Sequence, residues 1–354
     1  MDILEGAGRS MELTEIIARV ADGHLLDEAE AEAAFRRVMS GDASPVQMAA
    51  LLTGLRARGH AASEVAGGVR ALRGAMVPVT SRDPEELIDT CGTGGGTVTT
   101  FNISTAAALV AAGAGARVAK HGNRSFSSRS GSADVLEALG VNLELSADAM
   151  GRVLDEVGIV FMFAPLLHPA MRHVGPVRRE LAIPTIMNLL GPLTNPAGVR
   201  RQVVGVADPD LLPLIAEALQ ALGHERALVV HGLPGMDEMS PIGDTLVAEL
   251  SGGDLRRYRV SPGELGLGST TAEEIAGGEP EENADLIRQV LEGDERGGAR
   301  TVTLLNAAAA LYVAGMVEGL RAGVEQAAEA VDSGSAARTL ASLVEVTARE
   351  GRED

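Results

Sequence analysis

The chain has 354 residues, 45% of them apolar, and its 49 acidic and 30 basic side chains give a formal net charge of −19. This length is enough for about two domains with buried cores, and the negative charge opposes binding to nucleic acid or to an anionic membrane surface. The single cysteine, Cys91, cannot form an intrachain disulfide, and residues 1–20 lack the basic and apolar pattern of a leader peptide. We therefore expect a soluble cytoplasmic protein.

Residues 11–77 have the spacing of amphipathic helices, as in Leu13, Ile16, Ile17 and Val20. The segment Ser44-Pro45-Val46-Gln47 predicts a helix start, because Ser caps, Pro suits the first helical position and Gln closes a capping box. Residues 77–84 break this pattern and are typical of a linker.

After this linker, short apolar runs alternate with helical segments, which predicts a mainly parallel sheet covered by helices. The predicted strands are Leu87–Thr90, Arg117–Ala119, Val141–Glu144, Ile159–Phe163, Gln202–Val206, Ala227–Val230, Thr245–Leu250 and Leu255–Val260. The predicted helices include Ser104–Ala114, Ser132–Leu139, Ala147–Val157 and Leu211–Leu222, and the acidic stretch Gly277–Asn283 is predicted to be a mobile loop. We expect a small helical domain at 1–79, joined by 165–190, and an α/β domain at 80–164 and 191–354.

A glycine-rich segment, Gly92-Thr93-Gly94-Gly95-Gly96-Thr97, follows the first predicted strand and precedes a helix. Such a turn can direct backbone N–H groups and a helix N-terminus toward an anion. The alternative is a plain strand–helix turn in which Asn102 or Ser104 only caps the helix.

A second strand–loop–helix segment, Lys120–Ser132, contains the only lysine of the chain together with Arg124, Arg129 and several serines. Two anion-binding loops at the carboxyl edge of a parallel sheet indicate a ligand with two phosphate groups. The alternative is a solvated basic loop.

Two adjacent carboxylates, Asp237 and Glu238, follow a third strand, where they could hold Mg²⁺ together with substrate phosphates. Adjacent acids elsewhere in the chain are equally close, so a solvated surface pair is the alternative. Arg178 lies in an apolar setting that suits bidentate binding of a carboxylate, although it could instead pair with Glu180.

Nearly the whole chain is covered, in order, by a set of specific segments: GTGG at 92–95, TFNIST at 100–105, KHGNRS at 120–125, SS at 127–128, GSAD at 131–134, HPAM at 168–171, PVRREL at 176–181, NLLGPLTNP at 188–196, MDE at 236–238, LNAAAALYVAG at 305–315 and DSG at 332–334. Together they resemble the anthranilate phosphoribosyltransferase family of tryptophan biosynthesis. The resemblance implies a homodimer formed through the helical domain, with phosphoribosyl pyrophosphate and anthranilate as substrates and Mg²⁺ as cofactor.

The resemblance also implies the site residues. It implies that the phosphoribosyl pyrophosphate contacts are Gly92, Gly95, Gly96, Thr100, Asn102, Ile103, Ser104, Thr105, Lys120, His121, Gly122, Asn123, Arg124, Ser125, Phe126, Ser127, Ser128 and Ser132. The implied Mg²⁺ ligands are Ser104, Asp237 and Glu238, and the implied anthranilate contacts are Gly92, Asn123, Pro165, His168 and Arg178. Lys120 and Arg178 are the expected catalytic residues.

One position departs from the family pattern, because Gly96 stands where the family has an Asp after GTGG. We expect activity to survive, since Asp237 and Glu238 remain to hold the metal, while the number of metal ions stays open. Two alternatives also stay open: a pyrimidine nucleoside phosphorylase of the same fold, whose loop contains a similar Lys-His-Gly segment, and a non-catalytic homologue that binds a phosphoribosyl ligand.

Overall fold

The computed structural model describes residues 11–125 and 129–353. Its helices are α1 (Leu13–Ala21), α2 (Glu28–Ser40), α3 (Pro45–Arg58), α4 (Ala62–Arg73), α5 (Ile103–Gly113), α6 (Ser132–Ala138), α7 (Ala147–Val157), α8 (Ala164–Leu167), α9 (Met171–Leu181), α10 (Met187–Leu190), α11 (Leu211–Ala221), α12 (Pro280–Glu292), α13 (Gly298–Ala314), α14 (Leu320–Asp332) and α15 (Ser335–Glu353). Its strands are β1 (Leu87–Gly92), β2 (Arg117–Gly122), β3 (Ile159–Phe163), β4 (Arg201–Gly205), β5 (Arg226–Gly232), β6 (Thr245–Ser251) and β7 (Asp254–Val260).

One compact unit is helical and consists of described residues 11–76 together with His168–Leu190. Its α3 begins as predicted: the Ser44 hydroxyl accepts the Gln47 N–H at 3.3 Å, and the Gln47 side chain accepts the Ser44 N–H at 2.9 Å. A Cβ on Gly67 in α4 would lie 2.4 Å from the Glu28 carbonyl oxygen of α2. A glycine at this position therefore lets α2 and α4 pack closely.

The second compact unit comprises Val77–Leu167 and Gly191–Asp354 and is built around one seven-stranded sheet. The strand order is β3-β2-β1-β4-β5-β6-β7, with β1 to β5 parallel and the last two strands antiparallel. The direction in which the chain adds strands reverses between β1 and β4. In open parallel sheets, ligands bind beyond the carboxyl ends of the strands at such a reversal.

Helix α5 is the centre of this unit, because almost every residue from Ile103 to Ala111 is buried. It contacts β1 and β2 on one side and α13, α14 and α15 on the others. A helix that is apolar on all sides needs such complete cover, and its alanines and Gly113 allow close approach, since a Cβ on Gly113 would lie 2.7 Å from the Ala336 Cα.

The predicted fold class, a small helical domain plus a larger α/β domain with a mainly parallel sheet, is confirmed. Two local predictions are wrong. Residues 141–144 form no strand, because Val141 and Leu143 are buried in the core and the Asn142 N–H donates to the Thr347 hydroxyl of α15 at 3.2 Å instead of to a neighbouring strand. The stretch 277–283 includes the first turn of α12, and it is hydrogen-bonded to the rest of the unit. In the described residues, no helix is both long and apolar enough to cross a bilayer.

Candidate active site

The carboxyl ends of β1 and β4 meet at a pair of glycines, Gly92 and Gly205, which are partners in the parallel register. A Cβ on Gly205 would lie 1.5 Å from the Asp237 carbonyl oxygen, and one on Gly92 would lie 2.5 Å from Asp237 Oδ2. Both strands must therefore end without side chains, because the turn that carries Asp237 occupies that space.

The glycine-rich loop after β1 folds over this acidic turn. The Gly94 N–H donates to Asp237 Oδ2 at 2.8 Å, and the Thr97 N–H donates to the Gly235 carbonyl oxygen at 2.8 Å. Gly94 and Gly95 adopt φ angles of 68° and 87°, which favour glycine. Within the described residues, the N–H groups of Gly95 and Gly96 have no hydrogen-bond acceptor, so they are available to an anion.

Asp237 and Glu238 line a small pocket together with Thr90, Ser104 and Asn306. Burial raises the pKa of both carboxyls, and for Glu238 the neighbouring Asp237 raises it further. Lys120, Ser104 and Thr100 lower the pKa of Glu238 without cancelling that rise. The pair is half-buried and differs from the solvated surface acids that are the usual alternative.

Lys120 lies inside β2 and not in the loop that follows, since the strand continues to Gly122. Its side chain is buried, and its Nζ donates to the Thr90 carbonyl oxygen at 2.5 Å and to the Ser104 hydroxyl at 3.3 Å. Burial lowers the pKa of this ammonium, while the nearby Asp89, Cys91 and Glu238 oppose that shift. The positive charge therefore approaches the pocket from the sheet.

Asp89, in the middle of β1, is fully buried beside this lysine. Its carboxylate accepts hydrogen bonds from the Asn195 amide at 2.8 Å, the His121 N–H at 3.2 Å and the Gln202 amide at 3.4 Å. Burial raises the pKa of Asp89 to about 6, against the opposing effect of Lys120. The Asp89 carboxylate is held by Asn195 and Gln202, and its negative charge opposes the effect of burial on the Lys120 ammonium.

In the segment 100–105, several predicted contact residues are engaged by the protein itself. The side chains of Ile103 and Thr105 are buried, and their N–H groups donate to the carbonyl oxygens of Phe101 and Asn102 at 2.8 and 3.1 Å. Ser104 is half-buried and lines the pocket. Of these three positions, Ser104 is the one whose side chain faces the predicted ligand.

In the loop after β2, Arg124 is paired with acidic side chains and is not a freely solvated cation. Arg124 forms ion pairs with Asp134 at 2.8 Å and Glu137 at 2.5 Å, and its guanidinium lies 5.5 Å from the centre of the Phe163 ring. Its charge is therefore largely compensated. His121 is buried in β2, Asn123 is exposed, and the Ser132 hydroxyl donates to the Asn123 carbonyl oxygen at 3.2 Å. The predicted contacts Phe126, Ser127 and Ser128 lie outside the described residues.

The donor set at the pocket fits Mg²⁺. The described residues contain no group of three or more His, Cys, Asp or Glu side chains placed to hold a metal ion. The Ser104 hydroxyl and the carboxylates of Asp237 and Glu238 are hard oxygen donors, and Mg²⁺ typically takes one or two carboxylates plus substrate phosphates. A cation there would also compensate two carboxylates whose burial disfavours their charge.

Comparisons with known proteins cover both units. The helical bundle domain of a glycosyl transferase family matches residues 14–76, and the a/b domain of the same family matches residues 84–337. The anthranilate phosphoribosyltransferase of Rubrobacter xylanophilus is 52% identical over 95% of this chain and 98% of its own. The enzyme of that name from Roseiflexus castenholzii is 50% identical over 95% and 99%. The chain belongs to the anthranilate phosphoribosyltransferase family.

Solved structures of the anthranilate phosphoribosyltransferase family show the same fold. The protein of that name from Thermus thermophilus superposes with a TM-score of 0.89 at 45% identity, covering 94% of this chain and 99% of the other. The Saccharomyces cerevisiae protein, described as a complex with PRPP and Mg, superposes with a TM-score of 0.86 at 27% identity, covering 95% and 98%. Like other anthranilate phosphoribosyltransferases, the chain is a glycosyltransferase.

In the helical unit, the predicted anthranilate contact Arg178 lies in α9 and is half-buried. Burial lowers the pKa of its guanidinium, and within the described chain it has no ion pair, with Glu180 or any other acid. The His168 imidazole is buried, which lowers its pKa to about 4. Pro165, which belongs to the other unit, is exposed in α8.

Sequence reasoning missed three residues around the family site: Gly205, Asn283 and Asn306. Asn306 in α13 accepts the Met239 N–H at 2.9 Å and donates to the Met239 carbonyl oxygen at 3.0 Å, so it holds the residue that follows Glu238. The signal was an asparagine inside an otherwise apolar helix, because a buried amide requires nearby partners. The partners themselves were not visible from the sequence.

Proposed function

We propose that this chain transfers the phosphoribosyl group from phosphoribosyl pyrophosphate to the amine of anthranilate, giving N-(5-phosphoribosyl)anthranilate and pyrophosphate, a step of tryptophan biosynthesis. The observation that carries the proposal is the pocket at the reversal of the sheet, which Asp237, Glu238 and Ser104 line and where the Ser104 hydroxyl accepts a hydrogen bond from the buried Lys120. Membership of the anthranilate phosphoribosyltransferase family supports it.

The donor substrate would be held at this pocket. The N–H groups of Gly95 and Gly96 would donate hydrogen bonds to pyrophosphate oxygens, and Ser104, Asp237 and Glu238 would hold Mg²⁺. When bound, Mg²⁺ supplies charge neutralisation for the leaving pyrophosphate. Lys120 is fixed by the Thr90 carbonyl oxygen and the Ser104 hydroxyl, so its positive charge stabilises the departing group without reorganising.

The acceptor substrate would be held by Arg178, whose guanidinium is uncompensated in the described chain and can bind the anthranilate carboxylate through two parallel hydrogen bonds. Asn123, His168, Pro165 and Gly92 are the further anthranilate contacts that we propose. The aromatic amine is a weak base, so it is largely unprotonated and needs little deprotonation before it attacks the ribose carbon. We therefore assign no strong general base, and binding, orientation and electrostatic stabilisation account for the catalysis.

The proposal is tested by mixing the purified protein with Mg²⁺, phosphoribosyl pyrophosphate and anthranilate and following the loss of anthranilate fluorescence. We expect loss that requires all three components. Phosphate-dependent cleavage of a pyrimidine nucleoside would instead favour the phosphorylase alternative. Binding of phosphoribosyl pyrophosphate in a calorimeter without turnover would favour the non-catalytic alternative.

Two finer statements belong with this proposal. We propose a homodimer formed through the helical unit, which light scattering of the eluting protein tests directly; a monomer mass at working concentration would refute it. We also propose a cytoplasmic location, which the single cysteine favours.

A further inference from the structure

The start of α12 contributes a buried side-chain amide, Asn283, that is hydrogen-bonded to Asn102 at the start of α5. Asn283 is 3% exposed. Its side-chain oxygen accepts the Gly278 N–H at 2.8 Å, and its Nδ2 donates to Asn102 Oδ1 at 3.0 Å. A buried amide with both ends engaged is held in one orientation, so Asn283 ties the segment before α12 to the start of α5.

Asn102 is in turn hydrogen-bonded to Ser130, which lies shortly before α6. Its Nδ2 donates to the Ser130 carbonyl oxygen at 3.1 Å, and its Oδ1 accepts the Ser130 hydroxyl at 3.0 Å in addition to the Asn283 amide. Both acceptor positions of Oδ1 are thus used. The second hydrogen of Nδ2 has no acceptor among the described residues, so Asn102 can donate one hydrogen bond to a substrate.

The backbone before α12 supports the same stretch of chain. The Phe101 N–H donates to the Ile275 carbonyl oxygen at 3.1 Å, and a Cβ on Gly277 would lie 2.2 Å from the Thr100 carbonyl oxygen. The segment therefore packs directly beneath residues 100–102. Because Ser104, two residues further on, lines the same pocket as Asp237 and Glu238, a shift of this stretch would also disturb the proposed metal site.

We propose that Asn283 is a positioning residue for the phosphoribosyl donor, acting through Asn102 to hold residues 100–102, at the start of α5, in place against Ser130. The inference rests on the proposed function, since it assigns a role within that same site. Asn283 lies 181 residues along the sequence from Asn102, and we assign it no direct contact with the substrate. A substitution of Asn283 is therefore expected to act on the donor substrate through the position of Asn102.

The test compares Asn283→Ala and the isosteric Asn283→Asp with the wild type. Both remove the donor to Asn102, while Asp keeps an acceptor for the Gly278 N–H. We expect the KM for phosphoribosyl pyrophosphate to rise about three- to tenfold in each variant, as for loss of one buried hydrogen bond. The KM for anthranilate is expected to stay within about twofold. Asn142→Ala, which removes the side-chain hydrogen bond to the Thr347 carbonyl oxygen of α15, is the matched control and should leave both KM values unchanged.

The double variant Asn102→Ala/Asn283→Ala decides whether Asn283 acts through Asn102. If it does, the double variant has the same KM for the donor as Asn102→Ala alone; additive effects would overturn the route. Unchanged donor KM in a folded Asn283→Asp protein, or equal rises for both substrates, would overturn the inference. A wild-type protein that neither binds nor consumes the donor would instead refute the proposed function.

Discussion

Glu238, in the turn after β5, is half-buried and Glu249, in β6, is fully buried, but only the charge of Glu249 is compensated by several hydrogen-bond donors. Glu249 accepts hydrogen bonds from Arg256 at 3.0 Å, the Tyr258 hydroxyl at 2.7 Å and the Tyr312 hydroxyl at 2.8 Å. Burial alone would raise the pKa of Glu249, but these donors outweigh it and hold the pKa below its usual value. The pKa of Glu238, beside the like charge of Asp237, is well above its usual value.

This difference separates a structural carboxylate from a functional one. The hairpin of β6 and β7 directs Arg256 and Tyr258 to Glu249, and Tyr312 of α13 donates to the same acid, which joins α13 to the sheet. The turn after β5 leaves two acids with fewer donors than their charge requires. An uncompensated buried charge lowers stability unless a cation binds, so the comparison predicts where a metal ion acts and where it does not.

The largest effect is expected for Glu238→Gln. A neutral amide cannot supply a carboxylate to Mg²⁺, and we expect kcat to fall about 100-fold or more. The melting temperature should stay the same or rise, because the variant removes a charge that burial disfavours. Steady-state rates over a range of Mg²⁺ concentrations, together with Mn²⁺ binding followed by electron paramagnetic resonance, measure both parts.

Glu249→Gln is the control for that variant. It leaves Arg256 and two tyrosine hydroxyls with a poorer acceptor, so unfolding should become easier by about 1–3 kcal/mol while Mn²⁺ binding and KM values are retained. If Glu238→Gln loses stability and keeps activity, or if Glu249→Gln does the reverse, the distinction between the two acids is wrong.

Arg178→Ala extends the comparison to a cation. Arg256 is paired with Glu249, whereas Arg178 has no acidic partner in the described residues. We expect the KM for anthranilate to rise about 10- to 100-fold, as for loss of a charge-assisted pair, with the KM for the phosphoribosyl donor unchanged. The neighbouring exposed Arg179→Ala is the matched control. Normal anthranilate kinetics in Arg178→Ala would remove this residue from the site.

His168 provides a pH-dependent test of a buried group that has no charge at neutral pH. Its pKa is about 4 in the folded chain against 6.5 for a free imidazole. Between these values the unfolded state binds the additional proton, so the free energy of unfolding should fall as pH decreases from about 6.5 to about 4. Denaturant titrations at several pH values should show this decrease in the wild type and a shallower one in His168→Asn. Parallel pH curves for the two proteins would contradict the assignment.

The smallest effect is expected for Gly96→Asp, which adds a third acid to the turn region. A Cβ at this position would lie 3.0 Å from the Gly235 carbonyl oxygen and 3.3 Å from Asp237 Oδ1, so the new carboxylate would stand beside Asp237. We expect the rate with Mg²⁺ to change by less than about tenfold, since the ligands already present are kept. Product formation by Gly96→Asp but not by the wild type would show that the missing acid is essential.

Much of the architecture follows from local sequence. The capping box at Ser44 and Gln47 is a contact between residues three apart, and the bounds of α7 and β3 follow from spacing and turn residues in their own segments. The segments that point to the family, such as GTGG at 92–95 and MDE at 236–238, are likewise contiguous. These features depend on interactions within a few residues, which a single segment of sequence contains.

The state of each candidate side chain was decided by tertiary structure. The sequence could not indicate that Lys120 is buried beside Asp89, that Arg124 is neutralised by Asp134 and Glu137, or that Gly205 must lack a side chain because Asp237 occupies its space. The hydrogen bonds of Asn283 to Asn102 and of Asn306 to Met239 join positions 181 and 67 residues apart. Charge compensation and close packing depend on which distant segments meet in space, and only the folded chain brings them together.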